Sequence, residues 1–181
     1  MQQLIKIVVL TILSAIMLLS CKNEASIETY IVEHQDLPEY KAIDISAKIV
    51  DLSKAELTEE QQETLGALDK LNFLLYRAKK EDLESYKTEL TKIRKVFKNE
   101  NHNELMEFSS DGIKFEVSTI GNDETVDEVL VLANSSEFGF GLLRILGDDM
   151  NPEKMVALIS KLQNADVDGS QLEGIMDFFK S

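Results

Sequence analysis

Residues 82–98 have the clearest helical pattern in the chain. Their apolar side chains recur at steps of three and four, which places them on one face of a helix. They are Leu83, Tyr86, Leu90, Ile93 and Phe97. Acidic residues precede this stripe and lysines and arginines end it, an order that suits the helix macrodipole. The pattern predicts a helix with one buried face.

Three further segments have the start signals of helices. Thr58 and Gln61 form a capping box, which predicts a helix running to about Leu68. Asn151–Pro152 supplies an N-cap and a first-turn proline for a helix with an apolar stripe ending at Leu162. Ser170 with Glu173 forms a second capping box, which predicts a terminal helix with the stripe Leu172, Ile175, Met176 and Phe179.

The strand-type segments lie on either side of the predicted helix at residues 82–98. Residues 43–50 alternate between apolar and polar side chains, and residues 71–76 form a short apolar run. Asp111–Gly112 separates two alternating runs, which is a strong hairpin signal. Four strands joined by short turns therefore predict an antiparallel meander. They are residues 105–109, 113–118, 126–133 and 138–146.

The order of the predicted elements is β-α-β-α-β-β-β-β-α-α. It predicts a single α+β domain over residues 41–181, with a mainly antiparallel sheet of about five to six strands and helices packed on one face. In the last strand, Gly139 and Gly141 point away from the neighbouring aromatic residues, which indicates a bulge or a close backbone approach.

Residues 1–20 have the composition of a signal peptide. They contain one base, Lys6, and no acid, and an apolar run extends from Ile7 to Leu19. A helix of that length would reach about 20 Å, whereas a bilayer core is about 30 Å thick. The run is therefore too short for an ordinary membrane-spanning helix, and the alternative is a buried helix of the domain.

The signal ends in Leu18-Leu19-Ser20-Cys21 and resembles the signal of bacterial lipoproteins. The resemblance implies cleavage before Cys21 and attachment of acyl chains to its sulfur. Several acyl chains on one residue would hold the protein stably on a membrane. We therefore expect residues 21–40 to comprise the lipidated cysteine and a tether, with the protein anchored in the cell envelope on the periplasmic side of a membrane or at the cell surface. The alternative is a free thiol in a secreted protein.

The charge of the chain narrows the range of partners. It has 19 Lys and Arg against 33 Asp and Glu, a net charge of −14. Such a chain is poorly suited to bind a phosphate backbone, so no nucleic-acid partner is expected. The excess of acid is interpreted as a solubilising surface, with an acidic face for a cation or a basic partner as the alternative.

Several short segments together resemble one family. They are Ala42–Lys48, Leu68–Leu74, Asn103–Met106, Asp127–Leu132 and Leu146–Asp148. In order and spacing they resemble bacterial lipoproteins of the domain of unknown function 4252 family, over roughly Ile43 to Leu162. The resemblance implies a small exported or lipid-anchored envelope domain, and it implies no catalytic residue.

Candidate catalytic residues are few, and no catalytic constellation or cofactor is expected. His34 and His102 both lie in polar, loop-like surroundings without the spacing of a metal motif, which favours solvated side chains. Asp148 and Asp149 follow a predicted strand. In the alternative interpretation of the chain as an envelope hydrolase, this pair of carboxylates would be catalytic. Their simpler interpretation is favourable negative charge before the helix that begins after Asn151.

Asp166 and Asp168 are the weak candidates for a metal site. Oxygen ligands at alternate positions before Gly169 resemble the start of a calcium loop. The rest of the segment does not match a calcium loop, because its twelfth position holds Ile175 where a glutamate is required. A turn between two helices explains the segment equally well.

These observations favour a lipid-anchored envelope protein that acts as a non-enzymatic interaction or binding module. Its partners would be the membrane, through Cys21, and an unidentified envelope protein. The envelope hydrolase and the weak calcium- or ligand-binding module are the alternatives.

Overall fold

The computed structural model describes residues 26–49, 52, 55–79, 81–99, 101–122, 124–162 and 177–179. In chain order the elements are α1 (Ile27–His34), β1 (Tyr40–Ser46), a 3-10 turn (Ala47–Ile49), α2 (Glu59–Gly66), β2 (Leu68–Arg77), α3 (Leu83–Phe97), β3 (His102–Ser110), β4 (Ile113–Gly121), β5 (Val126–Ser135), β6 (Gly139–Met150) and α4 (Pro152–Leu162). Six strands form one sheet in the order β1-β2-β6-β5-β4-β3. All neighbouring strands are antiparallel.

The α+β class and the predicted order of elements are confirmed. Strands β3 to β6 form the expected meander, and β6 also pairs with β2, so it lies inside the sheet. Asp111 and Gly112 form the predicted hairpin turn, with φ angles of 49° and 78°. Several strands are longer than the sequence pattern predicted, because pairing with a neighbour continues past the alternating residues.

We call the side of the sheet that α1 and α3 cover the front face. The apolar stripe of α3 packs there against side chains of β2, β5 and β6. They are Leu74, Tyr76, Leu130, Leu132, Phe140 and Leu142. Arg94 of α3 also forms a salt bridge with the sheet, because its guanidinium donates to the carboxylate of Glu116 at 2.9 Å. Glu116 is only 4% exposed, so this pair fixes where α3 lies over the sheet.

The opposite side of the sheet, the back face, is also apolar. Along β5, the residues Val129 and Val131 face the opposite way from Leu130 and Leu132. Helix α4 packs Met155 and Ile159 against this second cluster. Helices therefore lie on both faces, which corrects the prediction of a single covered face. The cause is that the central strands are apolar on both sides, so both sides must be shielded from water.

Helix α1 lies within the segment that the sequence assigned to the tether. Ser26 caps it, its hydroxyl accepting from the amide of Thr29 at 3.1 Å. Ile27 and Tyr30 are 2% and 5% exposed and belong to the front-face core. The folded domain therefore begins before residue 41. A helix of eight residues with two fully buried side chains is too short to produce a clear periodic pattern.

Two of the predicted helix starts agree with the structure. Thr58 and Gln61 form the reciprocal capping box at α2. Asn151 caps α4, its side-chain oxygen accepting from the amide of Lys154 at 3.0 Å. Residues 177–179 are helical, whereas the predicted capping box at Ser170 lies outside the described residues.

We predict that Gly139→Ala destabilises the fold, whereas Gly66→Ala does not. Gly139 has a φ of 124°, and an added Cβ would lie 2.0 Å from the carbonyl oxygen of Tyr76. Backbone strain alone should lower the free energy of unfolding by about 1–3 kcal/mol. Gly66 ends α2 in open space, so alanine there should raise it by up to about 1 kcal/mol. Urea unfolding of both variants provides the measurement, and equal midpoints would contradict the account.

Candidate functional site

A large concave site lies on the back face of the sheet, and we call it the back-face cavity. Its volume is about 500 Å³, within the usual range for small-molecule sites. Aromatic and aliphatic side chains form its walls: Phe73, Leu75, Phe115, Val131, Leu143 and Phe179. The first five come from four neighbouring strands, β2, β4, β5 and β6.

The cavity exists because one row of the sheet carries small residues. The strand register places Leu75, Gly141 and Ala133 side by side on the back face. Gly141 has no side chain to fill the space between its neighbours, and a Cβ there would meet the side chain of Leu75 at 3.3 Å. Helix α4 packs beside Val129 and Ile145, further along the same face. The part of the back face around Gly141 and Ala133 is therefore left as a depression with apolar walls.

A guanidinium lies at the rim of the cavity. Arg77 follows Phe73 and Leu75 at alternate positions of β2, so it is on the back face. Its Nη1 donates to the carbonyl oxygen of Phe178 at 3.2 Å, and its charge lies 5.3 Å from the centre of the Phe178 ring. The next residue, Phe179, forms part of the cavity wall. The terminal helical residues thus approach the cavity with both an aromatic ring and a backbone oxygen.

A second, smaller concavity lies at the front, between α1, α3 and the adjoining ends of β1 and β2. We call it the polar cleft; its volume is about 230 Å³. Tyr30 and Tyr40 share a hydrogen bond of 3.1 Å between their hydroxyls, and Tyr40 donates to Glu89 at 2.8 Å. Lys92 donates to the other oxygen of Glu89 at 2.6 Å. This chain of hydrogen bonds joins one residue of α1, one of β1 and two of α3.

The burial of the cleft shifts its titrating groups. Burial raises the pKa of Tyr30 to about 12, with smaller effects from its neighbours. Burial also raises the pKa of Tyr40, and the shared hydroxyl bond with Tyr30 adds to that. Burial alone would raise the pKa of Glu89, but the bonds from Lys92 and Tyr40 outweigh it and leave the pKa below its ordinary value. At neutral pH the tyrosines are therefore donors and Glu89 is an anion.

This arrangement suits a structural role better than proton transfer. Both hydroxyls hold their protons far above neutral pH, and the carboxylate is stabilised in its charged form, so none of the three titrates near pH 7. The ring of His34 stacks on Tyr30 with centroids 3.8 Å apart, and its Nδ1 donates to the Tyr30 carbonyl at 2.7 Å. The contacts of His34 with Tyr30 lie within α1, whereas the hydrogen bonds from Tyr30 through Tyr40 to Glu89 hold α1 against the sheet and α3.

The two histidines are not the solvated loop residues that the sequence suggested. His34 ends α1 and lines the polar cleft, where it is half-buried. His102 begins β3, also half-buried, and its Nδ1 donates to the carbonyl oxygen of Phe97 at 2.7 Å. In both cases a ring nitrogen binds a backbone carbonyl within or at the end of a helix, an interaction that sequence spacing alone does not reveal.

The other sequence candidates lie apart from both concave sites. Asp148 and Asp149 are exposed at the end of β6, before α4, and they line neither the cavity nor the cleft. Cys21, Asp166 and Asp168 lie outside the described residues. Within the described residues, no group of three or more His, Cys, Asp and Glu side chains is placed to hold a metal ion.

The cavity was not predicted from the sequence, although part of its signal was present. Gly139 and Gly141 indicated a special backbone position in the last strand, and both line the cavity. The missing information was which residues neighbour Gly141 in adjacent strands. That register emerges only from the pairing of β6 with both β2 and β5.

The chain matches, over residues 32–158, a family described as a domain of unknown function, DUF4252. The match extends from within α1 to within α4 and includes every strand of the sheet. The chain belongs to this family. No curated protein and no solved structure matched the chain. In the part of the chain that the structure describes, no helix has the length and apolar character to cross a membrane.

We predict that Tyr40→Phe is more destabilising than Tyr30→Phe. Tyr40 stands in the middle of the hydrogen-bond chain, and its loss leaves the largely buried carboxylate of Glu89 without one of its donors. That should lower the free energy of unfolding by about 1–3 kcal/mol. Tyr30→Phe removes only the terminal hydroxyl, so the bond from Tyr40 to Glu89 remains. Urea unfolding compares the two variants, and a larger loss for Tyr30→Phe would contradict this assignment.

Proposed function

We propose that this chain is a lipid-anchored protein of the bacterial cell envelope, and that its domain is a binding module that takes up an apolar ligand in the back-face cavity. One observation carries the binding role: a depression of about 500 Å³ whose walls are almost wholly apolar, on a sheet face that α4 shields only in part. Exposed apolar surface of this kind commonly marks a site of interaction.

The form of the cavity supports a small ligand rather than a broad protein partner. It is a concave space over the face of the sheet, not a flat patch, and its floor is set by backbone pairing that cannot easily rearrange. Phe73 and Phe115 supply large rigid walls on two of these strands. A preformed apolar space binds by releasing water and gaining packing contacts, and little ordering of the protein opposes that gain.

The anchor rests on the sequence of residues 1–21 and on the short distance to the folded domain. Five residue steps separate Cys21 from Ser26, the cap of α1, and they can span at most about 18 Å. An acylated Cys21 would thus hold the domain close to the membrane surface. An apolar ligand that leaves the bilayer would then have only a short path to the domain.

The anchor is tested by labelling growing cells with a clickable fatty acid. We expect the wild-type chain to carry the label and to remain with the membrane fraction, and Cys21→Ala to lose both. Cys21→Ser is the matched control for side-chain size, because its hydroxyl does not form the thioether. Label on either variant, or a wild-type chain that stays unlabelled, would overturn the proposed anchor.

The binding role is tested with an apolar fluorescent probe and the variant Ala133→Phe. Ala133 lines the cavity, so phenylalanine there should fill the space and reduce probe binding at least tenfold. Ala42→Phe is the control, because Ala42 lies exposed on β1. Binding that both variants retain would arise elsewhere on the chain. Equal binding by wild type and Ala133→Phe, with both folded by circular dichroism, would remove the cavity as the site.

A further inference from the structure

We propose that the ligand of the back-face cavity is a single-chain fatty carboxylate, whose apolar tail lies in the cavity and whose carboxylate binds Arg77. This inference rests on the proposed binding role and adds the class of ligand. It is carried by the position of a cation at one end of an otherwise apolar space.

Arg77 is placed where the head of such a ligand would lie. It continues the back-face row that contains Phe73 and Leu75, so its guanidinium stands beyond the last apolar wall residue of β2. Its strand neighbour Gly139 also lines the cavity. A guanidinium has five N–H donors in a planar fork that matches the two oxygens of a carboxylate.

The chain itself shows how an oxygen acceptor and an apolar group fit together here. The carbonyl oxygen of Phe178 accepts from Arg77 at 3.2 Å, while the next residue, Phe179, contributes its side chain to the cavity wall. A fatty carboxylate presents the same combination, an oxygen at one end and an apolar group behind it. Its carboxylate would form a charge-assisted bond, which is stronger than a bond to a neutral carbonyl.

A second cation lies on the same face. Lys41 pairs directly with Leu75 in the register of β1 and β2, and directly paired residues share a face of the sheet. It is exposed at the edge strand, beside the cavity rather than inside it. Lys41 is therefore a second positively charged side chain on the face of the sheet that carries Arg77.

The tail has an apolar path away from Arg77. Behind the small residues Ala133 and Gly141 lie Val131, Leu143 and Phe73. Phe115 closes this side and stacks on Phe108 of β3, with ring centroids 4.8 Å apart. The positive charge of Arg77 therefore lies at one end of the cavity, and only apolar side chains line the path away from it, so we expect the tail of an amphiphile to lie along this path.

The test compares dodecanoate with dodecanol on the full chain by isothermal titration calorimetry. The two ligands share a tail and differ in the charge of the head, so the proposal predicts that dodecanoate binds the wild type about tenfold more tightly. Arg77→Met should abolish this preference and leave dodecanol binding within about twofold. Arg77→Lys should keep part of the preference, because it retains the charge and loses the planar fork.

Lys79→Met is the matched control for the loss of one positive charge. Lys79 is exposed and pairs with Glu39 at 3.6 Å at the polar cleft, so the preference for dodecanoate should be unchanged. Thermal unfolding of each variant without ligand separates a folding defect from a loss of binding. Butyrate, which has the head without the long tail, should bind too weakly to detect.

The outcomes separate this inference from the proposed binding role. Suppose that both long-chain ligands bind the wild type and that Ala133→Phe removes this binding, but that dodecanoate has no advantage that depends on Arg77. The cavity then binds apolar ligands, and the fatty-carboxylate assignment is wrong. If Ala133→Phe leaves the binding of both ligands intact, the binding role itself fails. A preference for dodecanoate that Lys79→Met abolishes as completely as Arg77→Met would also overturn the assignment, because it would reflect overall charge.

Discussion

The architecture depends on a sheet whose central strands are apolar on both faces. Burial of apolar side chains stabilises the fold by about 25 cal/mol per Å² removed from water, so each face needs its own layer of helices. On the front face α1 and α3 provide that layer, and the Arg94–Glu116 pair fixes its position. On the back face α4 shields one end, and the other end forms a cavity. The proposed binding role follows from this unequal coverage.

Strand β6 connects the fold to the cavity. It pairs on one side with β2 and on the other with β5, and it supplies Phe140 and Leu142 to the front core. Its alternate positions on the back face include Gly139 and Gly141. The same strand therefore completes one core and leaves space in the other. A larger residue at Gly141 would meet Leu75, so the depression is a consequence of the pairing itself.

The sequence predicted the elements better than it predicted the site. The helix at residues 82–98 and the Asp111–Gly112 turn were recognisable because periodicity and turn chemistry are local. Helix α1 was missed because eight residues with two buried side chains leave little pattern. The cavity, the rim position of Arg77 and the tyrosine chain depend on residues that are distant in sequence and adjacent only through strand register. Cys21 remains a prediction from the sequence, since it lies outside the described residues.

The two concave sites have different roles. At the polar cleft on the front face, hydrogen bonds hold α1 in place, whereas the back-face cavity is the proposed apolar binding space. A crystal structure with a fatty carboxylate brominated at the end of its tail tests this account most directly. The account predicts an anomalous bromine peak among Phe73, Phe115 and Leu143, and carboxylate density within hydrogen-bonding distance of Arg77. Bromine outside the cavity, or bromine at the Arg77 rim with the carboxylate inside, would contradict it.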